Sequence, residues 1–403
     1  MVKIKDVKTY IVAPSNCDFL VIKIETSEPG LYGLGCATFT QRILAVKTAI
    51  DDYLKPMVIG REVTRIEDIW QQMMWSSYWR NGPVLNNAVS GIDEALWDIK
   101  GKMAGMPVYD LIGGKCREGV LVLPYMGEGM DRTAEEVGND IEEKLAQGMD
   151  FFRVQLCTDN LCPDELKPIG APKGYYIYAD KLIDDYVSLF RYLRNRFGYK
   201  PKFAIDAHER FTPQEAISLC KQLEPYQPFF IEDLLPPEQS QWFDNVRQAT
   251  SIPMAMGELF NNPNEFLPLI NGRKIDYIRC HISQLGGFTP ARKLAALCEY
   301  NGIQTMWHGP HDLSPIGAAA QIHLDLVSPN CALQEFGPYE EPILELFPGA
   351  PMQKGGYVYC NDRPGWGVDF REDLSNKYPP KGYLFTGELG FMARSRDGAP
   401  MRS

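Results

Sequence analysis

The sequence predicts an α/β protein, a closed parallel barrel preceded by a compact α+β domain, and three observations predict it. Eight short apolar strands alternate with helical stretches between residues 120 and 335. Their ends recur mostly every 23 to 30 residues, one strand–helix repeat apart. Ahead of them, residues 2–39 carry the period-two alternation and turn punctuation of an antiparallel sheet.

The elements follow in chain order. Residues 2–12 and 18–39 read as strands, because Val-Ile-Lys-Ile-Glu-Thr alternates apolar and polar side chains before Glu28-Pro29-Gly30 turns the chain back. Val89, Ile92, Leu96, Ile99 and Met103 recur at helical spacing, with Gly105 and Pro107 ending the helix. The first ~118 residues therefore read as one α+β domain. The barrel strands fall at 120–125, 151–156, 203–206, 229–232, 253–258, 277–281, 304–308 and 332–335. The one long interval, from 155 to 206, holds a Pro/Gly/Asp-rich stretch from Cys157 to Lys173, a candidate active-site loop. After Glu335 the apolar periodicity weakens, and Gly337–Ser403 is expected to wrap back over the first domain.

Composition limits the partners. In 403 residues, 41 Lys+Arg against 52 Asp+Glu give a net charge of −11, which argues against nucleic acid and anionic membranes because both demand a basic face. Small molecules remain. No apolar run approaches a membrane span, and Met-Val-Lys-Ile-Lys-Asp-Val lacks the layout of a signal peptide, so a cytoplasmic protein is expected. The ten cysteines include no CxxC pair and read as reduced thiols rather than as staples or a structural zinc site.

Chemistry-bearing residues cluster at strand ends. Asp206 ends Phe-Ala-Ile-Asp, Glu232 ends Phe-Phe-Ile-Glu and Glu258 ends Met-Ala-Met-Gly-Glu, at spacings of 26 and 26. Each acid alone could cap the helix that follows it. Three in phase would converge at the barrel mouth, where like charges repel unless a cation neutralises them, and oxygen-only ligands suit Mg²⁺. His208 lies one strand period after Asp206, so alternation would turn both to the same side. The same period pairs Arg153 with Gln155, where a salt bridge to the acids is the structural alternative. Arg279 on the sixth strand, His308-Gly-Pro-His-Asp312 on the seventh and Glu335 on the eighth complete a polar rim suited to a small polyhydroxylated acid.

Those stretches resemble the enolase superfamily and, within it, the mannonate dehydratase group with its starvation-sensing and acid-sugar dehydratase homologues. The resemblance covers nearly the whole chain. It runs through Gly33-Leu-Gly-Cys-Ala-Thr, Arg65-Ile-Glu-Asp-Ile-Trp, Ile92-Asp-Glu-Ala-Leu-Trp-Asp-Ile-Lys, Asp206-Ala-His-Glu-Arg, Ile275-Asp-Tyr-Ile-Arg, His308-Gly-Pro-His-Asp-Leu-Ser-Pro and Gln334-Glu-Phe. It implies a modified TIM-type (β/α)₇β barrel over about 119–369, with an N-terminal α+β capping domain at 1–118 completed by the tail from about 370 to 403. It implies Mg²⁺ on Asp206, Glu232 and Glu258, His208 as general acid, and Arg153 paired with the base. Arg279, His308, Asp312 and Glu335 would hold a sugar acid, with Glu258 and Tyr125 also facing it. The reaction implied is removal of the proton α to a carboxylate and loss of the β-hydroxyl, giving a 2-keto-3-deoxy acid. A homo-oligomer is expected.

The sequence also departs from the family. The tyrosine that pairs with the second-strand arginine is absent: about twelve residues after Arg153 stands Glu165. Tyr125 stands where the family has a histidine, an asparagine of the capping loop is replaced near Thr40, and the C-terminus reads Ala-Pro-Met-Arg-Ser instead of carrying a tryptophan. Weak or no D-mannonate activity follows. Racemase chemistry is disfavoured, since the lysine pair is missing and Arg279 occupies the aspartate position of a His–Asp dyad. Two further readings stay open: a non-catalytic or regulatory metal-binding homologue, and a lyase for a different acid.

Overall fold

Alternating β-branched and polar residues build the expected antiparallel sheet, Ile4–Val12, Phe19–Thr26 and Tyr32–Cys36, in register from Val12 opposite Phe19 to Asp6 opposite Glu25, with a one-residue shift before Ile4 meets Thr26. The computed structural model describes the chain apart from residues 125, 127–131, 157–165, 173, 310–312, 383–392 and 402–403.

The helix over Val89–Met103 spans Pro83–Ala104, but it is not the one-sided amphipath that its periodicity predicts. Residues 86–99 are buried on all faces, and Met103, counted in the apolar stripe, is largely exposed. Its acids explain the burial. Asp93 accepts the Thr289 N–H at 2.8 Å, Glu94 that of Cys36 at 2.8 Å, and Asp98 those of Leu34 and Trp366, each at 2.9 Å. The helix thereby satisfies donors of the neighbouring strand, of a second helix start and of the C-terminal segment. Burial pushes Asp93 up to about 7 and Glu94 up to about 8. Gly35 permits the contact, because a Cβ there would lie 2.0 Å from the Gly91 carbonyl oxygen.

All eight barrel strands occur where predicted, mostly shorter than their apolar runs. Six form a curled parallel sheet in the order Phe151–Val154, Lys202–Asp206, Ile231–Glu232, Met254–Met256, Tyr277–Ile278 and Gln304–Thr305. Val120–Pro124 and Gln334–Phe336 lie in a second sheet, and a bridge joins Thr305 to Cys331 just ahead of the eighth strand. The intervening helices start on the signals the sequence offers, such as the reciprocal Thr212–Glu215 box before Pro213–Leu223.

The chain divides into two compact units. One comprises Met1–Val122, Gly257–Phe266 and Ile278–Leu384; in it Val120, Val122, Ile322, Leu326 and Phe336 form part of a core cluster. In this unit the C-terminal segment packs on several elements. The hairpin Met352–Lys354 with Tyr357–Tyr359 pairs on Val120 and Leu121, the Trp366 indole donates to the Glu94 carbonyl, and Glu372 accepts from Lys23 and Tyr10. The other unit comprises Leu123–Met256, Leu267–Tyr277 and Phe385–Ser403, with buried Phe152 and Phe190 each packed against the Phe203 ring. Here Ala393–Arg394 pairs in parallel with Tyr175–Tyr176. The eight described cysteines form no disulfide with one another, and no described helix is long and apolar enough to cross a membrane.

Candidate active site

Parallel pairing sets Asp206 opposite Glu232 and Arg153 opposite Ala204, so two acids end adjacent strands with a guanidinium on the next strand over. Arg153 Nη1 donates to Asp206 Oδ2 at 2.8 Å and to Glu232 Oε2 at 3.1 Å, and all three side chains are buried. The ion pair weighed as the structural alternative for Arg153 is thus present, and its partners are the predicted metal acids. Asp233, which the sequence reading passed over, turns inward on a left-handed backbone (φ 43°). Asp206, Glu232 and Asp233 each place a carboxylate oxygen within 4.8 Å of the others. Three carboxylates crowd together beside the Arg153 guanidinium, and the donors are all hard oxygens. The set therefore fits a divalent cation of the Mg²⁺ type.

His208 reaches this acid cluster by a different route from the one its spacing implied. The strand ends at Asp206, and residues 208 and 209 adopt left-handed φ values of 51° and 61°, so strand alternation does not extend to the histidine. Its backbone N–H instead donates to Asp206 Oδ1 at 3.0 Å, which ties the turn to the acid. Tyr186, also unnoticed in sequence, steadies the same strand end: its hydroxyl donates to the Asp206 carbonyl at 2.7 Å and accepts from Leu156 N at 3.2 Å. Gln155, paired with Arg153 by period, lies past the strand end in a small hollow with Met126, Arg132 and Val137.

The remaining predicted residues belong to the other unit. The fifth strand stops at Met256, which leaves Glu258 in the turn beyond it, where its Oε2 lies 3.2 Å from His308 Nε2. Arg279 is fully buried and donates from Nη2 to Glu335 Oε2 at 2.8 Å; the Gly309 N–H approaches the same oxygen at 3.3 Å. His281 stacks near His308 with ring centroids 5.7 Å apart, and burial pushes its imidazole down to about 3, so it is neutral at working pH. Asp312 and Tyr125 lie outside the described residues, as do Glu165 and most of the predicted loop. Of the tyrosines that follow that loop, at 175, 176 and 178, Tyr176 is buried with its hydroxyl donating to the Pro172 carbonyl at 2.8 Å, and Tyr178 carries Arg396 over its ring.

Comparison with known proteins places this geometry. Residues 2–113 match the N-terminal domain of the mandelate racemase / muconate lactonizing enzyme family, and residues 138–374 match the enolase C-terminal domain-like family. Across 99% of both chains the sequence is 48% identical to a D-galactonate dehydratase family member from Musicola paradisiaca. The chain belongs to the D-galactonate dehydratase family of the enolase superfamily. A second member, from Salmonella enteritidis PT4, is 49% identical over 99% of this chain and 98% of its own. The crystal structure of an enolase from Pantoea ananatis, with bound D-gluconate and Mg, superposes over the full length of both chains with a TM-score of 0.95 at 47% identity. The superfamily reading is therefore secure, and the family is that of the D-galactonate dehydratases rather than the mannonate dehydratase group specifically. The fold is the superfamily's capping domain and barrel.

Proposed function

We propose that this D-galactonate dehydratase family member is a Mg²⁺-dependent acid-sugar dehydratase that turns a sugar acid into its 2-keto-3-deoxy product. The observation that carries the reading is the in-register pair Asp206 and Glu232 on adjacent parallel strands, bridged by buried Arg153. Asp206, Glu232 and, by its matching repeat, Glu258 would hold the metal. When bound, Mg²⁺ withdraws charge from the substrate carboxylate and so acidifies the α-proton. The relative from Pantoea ananatis, with its D-gluconate and Mg, supports both the ion and the class of acid.

The chain's own groups supply the rest. Arg153 stays protonated, so it steadies a developing oxyanion or lowers the pKa of a neighbour and is not itself the base. The base is then Glu165, Tyr175, Tyr178 or Tyr125; Tyr176 is the least suited, since its buried hydroxyl is already committed to Pro172. His208 protonates the departing hydroxyl. Arg279, His308, Asp312 and Glu335 grip the acid's polar groups, with Arg279 already oriented by Glu335.

Because none of the candidate bases has the spacing of the mannonate dehydratase tyrosine, D-mannonate is expected to be a poor substrate. Its kcat/KM should lie below the ~10⁴ M⁻¹s⁻¹ lower edge of typical enzymes. A steady-state value well above that edge would show that one of these residues does serve as base. Substituting the tyrosines by Phe and Glu165 by Gln would then identify it.

A further inference from the structure

Two glutamines without a part in the proposed chemistry lie fully buried behind His308 and Glu335. Gln321, on the helix Pro315–Val327, donates from Nε2 to the His308 carbonyl at 2.7 Å. Its Oε1 accepts from Gln334 Nε2 at 2.9 Å, and that nitrogen also reaches the carbonyls of Glu335 at 2.8 Å and Trp307 at 3.3 Å. Gly309 is fitted against the pair. A Cβ there would stand 2.7 Å from Gln321 Oε1, 2.9 Å from Gln334 Nε2 and 3.0 Å from the Glu335 carbonyl oxygen. The Gly309 N–H meets Glu335 Oε2, the oxygen that accepts Arg279.

One chain of amides therefore ties the end of the seventh strand, which presents His308, to the eighth, which presents Glu335. Filling volume does not require it, since methionine would occupy the Gln321 site without burying polar atoms. What the amides add is direction, because a hydrogen bond fixes a carbonyl to a few tenths of an ångström where an apolar contact lets it slide. We propose that Gln321 is a positioning residue. It locks the His308–Gly309 backbone, with Gln334 as its relay, so that the His308 imidazole meets Glu258 and the Arg279–Glu335 pair keeps its place. This role rests on the reading of His308 and Glu335 as groups that hold the acid substrate.

The test is Gln321→Met, which keeps the side-chain length and removes both bonds. A crystal structure of the folded variant should show His308 Nε2 beyond hydrogen-bond reach of Glu258, more than about 3.5 Å away. With whichever acid sugar the parent turns over, kcat/KM should fall about 10²-fold, the usual cost of an ångström-scale misplacement. In a His308→Asn background the same substitution should cost nothing further, whereas a residue that only supports the fold would cost as much there as in the parent. If Gln321→Met does not fold, Gly309→Ala presses on the same amides from the other side and should give the same displacement and loss. An unmoved His308 with parental kcat/KM, or additive losses in the double variant, would overturn the proposal. A parent that turns over no acid sugar would instead sink the dehydratase reading, and the crystal geometry alone would decide the role of Gln321.

Discussion

Arg153 sets the electrostatics of the acid cluster. A buried carboxylate pair survives only if its charge is met, and one guanidinium shared between Asp206 and Glu232 meets part of it, which leaves a divalent ion favoured beside them. Glu232→Gln removes one oxygen anion and one acceptor for Arg153, so isothermal calorimetry should find Mg²⁺ binding weakened and the metal-dependent rise in thermal midpoint lost. Parental affinity in that variant would show that Glu232 is not a ligand. His208→Asn should lower turnover of the identified substrate by roughly 10²-fold or more, the usual worth of a positioned acid. Near-parental turnover would leave His208 as a wall of the pocket. At this scale the sequence singled out Asp206, Glu232, Glu258, Arg279, His308 and Glu335 as candidates because each lies at the end of an apolar run at a barrel interval. Asp233 carried a usable signal as the second acid of a Glu-Asp pair. Tyr186 and Gln321 carried none, because they reach the strand ends from helices whose packing no local pattern encodes.

At the scale of elements, strand positions were readable and strand lengths were not. Apolar runs continue past the last ladder bond into the turns beyond, which is why Glu258 falls beyond its strand. The helix Pro83–Ala104 shows the opposite failure: its apolar stripe is real, yet its acids are the groups that join it to three neighbours. Buried acids also predict a pH dependence. Asp325, on the helix that carries Gln321, is pushed up to about 8, first by burial, against weaker lowering by Cys331, Arg117 and Trp307. Its unfolded counterpart ionises near 3.8, so across the intervening range the folded state holds a proton that the unfolded state has released. Stability therefore falls as pH rises toward about 8, by up to about 1.4 kcal/mol per pH unit. Chemical denaturation across that range should show a flatter profile for Asp325→Asn than for the parent. An unchanged slope would mean that Asp325 is ionised in the folded protein.

For the whole molecule, charge and composition point to small-molecule partners, and the repeat of strand ends made the barrel legible. The substrate is the least legible part. Residues proposed to face it, Tyr125, Glu165 and Asp312, lie outside the described structure. The central claim, dehydration of an acid sugar assisted by Mg²⁺, is met most directly by one assay. The purified protein is incubated with a panel of hexonates and uronates that includes D-gluconate, D-galactonate and D-mannonate, and 2-keto acid release is followed with Mg²⁺, with chelator, and with Mg²⁺ restored. The account predicts 2-keto-3-deoxy acid from at least one member other than D-mannonate, abolished by chelation, recovered on adding the metal back, and lost in Glu232→Gln. No 2-keto acid from any member, or release that survives chelation and the Glu232→Gln substitution, would contradict it.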